Sequence, residues 1–172
     1  EALSYAHTKG MIHRDIKPSN VMMLNDGTIR LVDFGLAKVF DKENPEHMPL
    51  TRTKEIVGTP LYMSPEQCFG QDLSATSDIY QLGCLLFQSI TGFPPFEGST
   101  SFEAMYKHVS AQADLSALSP PIQNILRKAM DKNPAARFQS AYEMGQCLRD
   151  AKDGRSKLRR KKKPNLLVAT LA

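Results

Sequence analysis

Three polar side chains in the first 33 residues could bind a cation and accept a proton. Asn20 and Asp33 carry an amide and a carboxylate oxygen, the hard ligands that Mg²⁺ prefers in proteins. Asp15 adds a second carboxylate, which can take a proton from a hydroxyl group. This chemistry requires the three side chains to meet, although Asp33 comes thirteen residues after Asn20.

A β-hairpin would bring the two candidate ligands together. Two short apolar runs flank Asp26 and Gly27, and an Asp-Gly pair in that position is a strong signal for a two-residue turn. With these residues at the turn, the register places Asn20 opposite Asp33. The sequence therefore predicts a cation-binding site at the open end of a hairpin.

Four short motifs then follow one another in a fixed order. They are His-Arg-Asp with an Asn five residues after the Asp, Asp-Phe-Gly, Gly-Thr-Pro and Ser-Pro-Glu, at residues 13–20, 33–35, 58–60 and 64–66. In this order and spacing they resemble the protein kinase family, from residue 1 to about residue 151. Ser-Pro-Glu-Gln and the segment at 77–83 are most similar to bacterial Ser/Thr kinases of the eukaryotic type.

The resemblance implies ATP-dependent phosphorylation of a protein Ser or Thr hydroxyl. Asp15 resembles the base that accepts the hydroxyl proton, and Lys17 resembles a cation near the moving phosphoryl group. Lys17 also marks Ser/Thr rather than Tyr specificity. Thr59 resembles the residue that hydrogen-bonds this pair.

The same resemblance implies ATP and Mg²⁺ as cofactors. Asn20 and Asp33 would hold the metal ion, and Lys17 would contact the nucleotide. Met22 lies where the family places an apolar side chain under the adenine. Its neighbour Met23 is predicted to be a buried strand residue.

Five residues receive structural roles. His13 is expected to pack in the core against Phe34 rather than act as a base. Glu66 and Arg137 resemble a buried ion pair behind the substrate loop. Asp78 resembles a carboxylate that accepts backbone N–H groups of residues 13–20, called the catalytic segment below.

Regulation is expected in the long irregular segment at residues 36–64. Thr51 and Thr53 lie where similar bacterial kinases carry activating phosphothreonines. Arg14 and Lys38 would supply cations to a phosphate there. The alternative is two solvated threonines in a flexible loop.

We expect a mainly α-helical fold, a kinase C-terminal lobe over residues 1–151 with one short hairpin. An apolar helix starting at Thr76 should be buried and central, and it should end at Gly92. An amphipathic stripe at 122–130 and a capping box of Ser140 with Glu143 predict two later helices.

The N-terminal-lobe parts of the family cannot be placed in these 172 residues. Gly10 is the only glycine before the catalytic segment, so no Gly-rich phosphate loop precedes it. We therefore expect an inactive fragment of an active parent kinase. The alternative is a non-catalytic kinase-like interaction module.

The basic character of the chain comes from its tail. Seven of the 22 Lys and Arg residues lie at 155–163, and without them the net charge of +4 would be −3. No nucleic-acid binding is therefore expected of the fold. The linker at 152–165 and apolar residues 166–172 resemble the cytoplasmic flank and the start of a membrane span. The alternatives are a solvated basic tail, or a tail that binds nucleic acid or an acidic partner. The chain is expected at the cytoplasmic side of the membrane, or in the cytoplasm.

Overall fold

The computed structural model describes residues 1–34 and 60–154. These residues are mainly helical, with one antiparallel sheet of two strands. The helices are α1 (Ala2–Thr8), α2 (Pro65–Cys68), α3 (Ala75–Thr91), α4 (Ser101–Ser110), α5 (Pro120–Ala129) and α6 (Ala141–Lys152). The strands are β1 (Val21–Met23) and β2 (Ile29–Leu31), and short 3₁₀ helices cover Pro18–Asn20 and Pro134–Ala136.

Helix α3 runs through the centre of the described fold. Ser74 caps its first turn by accepting a hydrogen bond from the Thr76 backbone, and Gly92 ends it in the left-handed conformation at φ 85°. The helix thus begins one residue before the predicted start and ends at the predicted glycine. Its first half is buried, whereas Ile90 near the end is 47% exposed.

Two groups of apolar side chains pack against α3. One group is Tyr80, Cys84, Phe87, Phe96, Leu115, Leu126 and Met130. The other is Ile79, Ile125, Ala129, Phe138 and Met144. The predicted stripe on α5 therefore serves as the contact surface between α3 and α6, because it supplies residues to both groups.

The hairpin forms as predicted, but its register differs by one residue. Val21 pairs with Leu31, and the Leu24 N–H donates to the Thr28 carbonyl at 2.9 Å. The loop thus contains three residues rather than two, because Gly27 adopts φ 80° after the turn and adds a position.

The predicted pairing of Asn20 with Asp33 is therefore wrong. The Val32 N–H donates to the Asn20 carbonyl at 2.9 Å, so Asn20 lies opposite Val32. Asp33 is the next residue along the chain.

The predicted burial of Met23 is also wrong. Its side chain is 75% exposed, and Met22 is 51% exposed. A two-stranded ribbon cannot enclose both of its faces, and β2 contacts α1 while β1 contacts the 3₁₀ helix before it. The two methionines therefore stand at the surface of the hairpin.

Candidate active site

The side chains of Asp15, Lys17 and Asn20 meet at one carboxylate oxygen. Lys17 Nζ lies 2.9 Å from Asp15 Oδ2, and Asn20 Nδ2 donates to the same oxygen at 3.2 Å. The side chain of Asp15 is 53% exposed, so it is open to a second molecule. The 3₁₀ helix Pro18–Asn20 makes this cluster possible, because it folds the chain back by one turn between Lys17 and Asn20.

The amide of Asn20 is oriented by its neighbours. Nδ2 donates to the Asp15 carbonyl at 2.8 Å as well as to the carboxylate, and the residue is 6% exposed. Since both hydrogens of the amide face Asp15, the oxygen Oδ1 faces the other side. An oriented amide oxygen beside the chain that leads into Asp33 fits a hard cation such as Mg²⁺.

Asp33 lies directly after the residue that pairs with Asn20. Its backbone has φ 58°, a left-handed conformation that turns the chain after β2. Within residues 1–34 and 60–154, no group of three or more His, Cys, Asp or Glu side chains could hold a metal ion. Two oxygen donors suit Mg²⁺, which commonly completes its shell with phosphate and water.

A buried histidine fixes the chain around Asp33. The ring of His13 lies 4.7 Å from the ring of Phe34, and His13 Nε2 lies 2.9 Å from the Val32 carbonyl. His13 has no exposed surface. These contacts place the residues before and after Asp33 against the catalytic segment, and they leave His13 away from solvent.

Asp78, at the start of α3, holds the backbone before Asp15. Its Oδ2 accepts from the His13 N–H and its Oδ1 from the Arg14 N–H, both at 2.8 Å. Asp78 is fully buried, so these charge-assisted bonds satisfy a carboxylate that would otherwise be costly to desolvate.

Glu66 and Arg137 form a bidentate ion pair. Arg137 Nη1 and Nη2 lie 2.7 and 2.9 Å from the two carboxylate oxygens of Glu66. Burial by itself would raise the pKa of Glu66, but hydrogen bonds from Arg137 and Ser77 together with the guanidinium charge outweigh it, so the pKa lies below its usual value.

Comparison with known proteins identifies the family of this chain. The family described as "Protein kinase domain" matches residues 1–149. The chain belongs to the protein kinase family. A probable serine/threonine-protein kinase PknB of Corynebacterium glutamicum is 40% identical over 153 residues, which cover 84% of this chain and 23% of that protein.

Two further relatives are serine/threonine-protein kinases by name. A probable one from Streptomyces coelicolor is 38% identical over 159 residues, or 90% of this chain. PknB of Mycobacterium tuberculosis is 39% identical over 150 residues, or 84% of this chain. The chain spans 23% of the length of each of these relatives.

Several predicted kinase site residues lie outside the described residues. They are Thr59 among the catalytic residues and Thr51, Thr53 and Lys38 among the regulatory ones. Arg14, the fourth regulatory candidate, lies next to Asp15 and has a left-handed backbone at φ 70°.

Sequence reasoning missed three side chains that hold the backbone around Asp15, two of them directly and one through Asp78. His7 Nε2 lies 2.8 Å from Asp78 Oδ2, and two glutamines, Gln67 and Gln81, bond to the backbone beside Asp15. Gln81 lies three residues after Asp78 on α3, so helical spacing puts the two on one face, and this signal was available in the sequence.

Proposed function

We propose that the protein is a serine/threonine kinase that transfers the γ-phosphoryl group of ATP to a protein Ser or Thr hydroxyl. In this proposal residues 1–151 are the C-terminal lobe of the catalytic domain. The supporting observation is the cluster at Asp15, where an exposed carboxylate is held between the Lys17 ammonium and the Asn20 amide.

Asp15 would accept the proton of the substrate hydroxyl. The Lys17 ammonium and the Asn20 amide both contact Oδ2 of this carboxylate, so we assign proton acceptance to Oδ1. Lys17 would offset the negative charge of the moving phosphoryl group. The Asn20 amide would keep the carboxylate in one orientation, because it also donates a hydrogen bond to the Asp15 carbonyl.

Asn20 Oδ1 and the Asp33 carboxylate would hold Mg²⁺. The bound metal ion supplies charge neutralisation to the phosphates. Lys17 and Met22 would contact the nucleotide, with Met22 against the adenine. The half-exposed position of Met22 on β1 supports this assignment, since a side chain that covers a ligand must be accessible.

The remaining roles rest on the family resemblance. Thr59 would bond to the Asp15 and Lys17 pair. Phosphorylation at Thr51 or Thr53 would order the long loop through Arg14 and Lys38.

The C-terminal tail would attach the protein to a membrane. This proposal rests on the basic run and the apolar run after residue 154. None of the described helices has the length and apolar character that a membrane crossing requires.

The 172 residues alone are expected to be inactive. The family also uses a Gly-rich loop, a strand Lys and a helix Glu around the nucleotide, and the sequence offers none of these. ATP bound to this chain alone would therefore lack the contacts that these three parts make in the family.

The test compares the full-length gene product with its Asp15→Asn variant in a peptide phosphorylation assay at varied Mg²⁺. We expect the variant to lose about 10²-fold or more of the rate, the usual contribution of a positioned base. The matched control is Asp72→Asn, which changes an exposed carboxylate before α3 and should leave the rate unchanged. The 172-residue chain is assayed beside them and should show no transfer above background.

Equal rates for wild type and Asp15→Asn would contradict the proposed base. A full-length wild type without activity at any Mg²⁺ concentration would contradict the enzyme and favour the non-catalytic interaction module.

A further inference from the structure

Two glutamines hold the peptide groups on either side of Asp15. Gln81 of α3 accepts a hydrogen bond from the Ile16 N–H at 2.9 Å and donates to the Arg14 carbonyl at 3.0 Å. Gln67 of α2 donates to the same Arg14 carbonyl at 2.8 Å. The Arg14 carbonyl thereby uses both lone pairs, and the peptide groups before and after Asp15 each have a side-chain partner.

The two glutamines are also bonded to each other. Gln81 Nε2 donates to Gln67 Oε1 at 2.8 Å, and the Ser64 N–H donates to the same oxygen at 2.9 Å. Gln81 is 2% exposed. Its amide can take only one orientation, because the Ile16 N–H requires an oxygen and the two carbonyl acceptors require the nitrogen. A reversed amide would leave the Ile16 N–H without an acceptor, and the Arg14 carbonyl and Gln67 Oε1 would each lose one hydrogen bond.

The backbone at this point is strained. Arg14 has φ 70°, a conformation that L residues with a Cβ rarely adopt. Such a conformation persists only where the surroundings determine it from several sides. Asp78 holds the Arg14 N–H at 2.8 Å, and the two glutamines hold its carbonyl, so both ends of the strained residue are fixed.

We propose that Gln81 and Gln67 are positioning residues for the reaction, because together they set the direction in which Asp15 presents its carboxylate. The proposal rests on the proposed role of Asp15 as proton acceptor. Neither glutamine touches substrate. They act through the Arg14 carbonyl and, for Gln81, through the Ile16 N–H.

The first experiment measures steady-state kinetics of the full-length gene product with Gln81→Met, which keeps the length of the side chain and removes its hydrogen bonds. We expect kcat to fall about 10²-fold, the cost of displacing a catalytic group by about 1 Å. KM for ATP and peptide should stay near wild type. The control is Gln123→Met on α5, whose amide bonds only to the Leu118 carbonyl in the described residues, and its kcat should be unchanged.

The pair should behave as one unit. The Gln67→Met, Gln81→Met double variant should lose little more kcat than Gln81→Met alone, because one network is broken in both cases. Fully multiplicative losses would overturn the joint role.

A second variant separates positioning from folding. Gln81→Glu keeps an acceptor for the Ile16 N–H but, when ionised, offers no donor to the Arg14 carbonyl. Its protonated form restores one donor, and burial raises the pKa of such a carboxyl group. We therefore expect the ratio of its kcat to that of wild type to rise as the pH falls, in a range where circular dichroism shows both proteins folded. A ratio that does not change with pH would overturn the proposal.

The outcome for Asp15→Asn tells the two proposals apart. If Asp15→Asn keeps wild-type activity, the proposed function is at fault. If Asp15→Asn is inactive while Gln81→Met keeps the wild-type kcat, only the positioning role of the glutamines is overturned.

Discussion

The guanidinium of Arg137 is fully buried, and every part of it has a hydrogen-bond acceptor. Besides the two oxygens of Glu66, it donates from Nε to the Asp131 carbonyl at 2.7 Å and from Nη1 to the Thr76 carbonyl at 2.9 Å. The side chain therefore ties α2, the first turn of α3 and the segment after α5 to one another. Such a charge is tolerated inside a protein only while its partners remain.

Arg137→Met should destabilise the fold strongly. The change leaves the Glu66 carboxylate buried without its partner, which costs about 3–5 kcal/mol in comparable cases. Urea unfolding of the purified protein measures this as a lower midpoint. The matched control is Lys107→Met, which breaks the exposed pair with Glu103 and should cost at most about 1 kcal/mol. Similar losses for both variants would contradict the prediction.

Among the elements, the packing of α3 on α5 depends on a glycine. A Cβ added at Gly83 would lie 2.9 Å from Met130 Cγ and 3.0 Å from Ala129 Cβ. Glycine normally weakens a helix, so its presence in the middle of α3 is explained by the close approach of α5.

Gly83→Ala should therefore destabilise the protein by about 1–3 kcal/mol, because the overpacking outweighs the gain in helix propensity. Gly145→Ala on α6 is the matched change, since its added Cβ meets only the end of the Arg149 side chain at 3.6 Å. That variant should gain about 0.5–1 kcal/mol. Thermal unfolding of both variants checks the opposite signs, and a stabilised Gly83→Ala would refute the argument.

The hairpin shows which part of an element the sequence predicts. The two short apolar runs and the Asp-Gly pair between them were enough to locate the two strands and their turn. The register depended on the length of the loop, which has two residues if Gly27 lies inside the turn and three if Gly27 follows it. An Asp-Gly pair is compatible with both loop lengths, so the sequence does not choose between them. The Asp26 carboxylate accepts from the Thr28 N–H at 2.9 Å and supports the longer loop, and this is a local contact that spacing does not reveal.

At the scale of the whole molecule, the sequence predicted the helices better than the contacts between them. The end of α3 followed from Gly92 and its start was predicted to within one residue, because capping is local. His7 bonds to Asp78 across 71 positions of the chain, and Gln81 reaches Ile16 across 65. Polar partners so distant in sequence are determined by how the helices pack, which periodicity alone does not specify.

His108 joins several of these distant segments. It is fully buried at the end of α4, and its Nδ1 lies 3.1 Å from the Tyr80 hydroxyl of α3. Lys132, which follows α5, donates to the His108 carbonyl at 2.7 Å. Burial and then the Lys132 charge lower the pKa of His108 to about 4, although the backbone of Leu61 and Pro60 opposes the shift.

This lowered pKa makes the stability of the whole fold depend on pH. The unfolded chain binds a proton at His108 below about pH 6.5, whereas the folded protein excludes that proton until about pH 4. Stability is therefore greatest above the unfolded pKa and falls as the pH drops between these two values, by up to about 1.4 kcal/mol per pH unit. Urea midpoints measured from pH 4 to pH 7 should show this slope in wild type and a smaller slope in His108→Gln. The difference between the two curves isolates His108, since the other groups titrate in both proteins, and parallel curves would mean that the buried imidazole does not carry the effect.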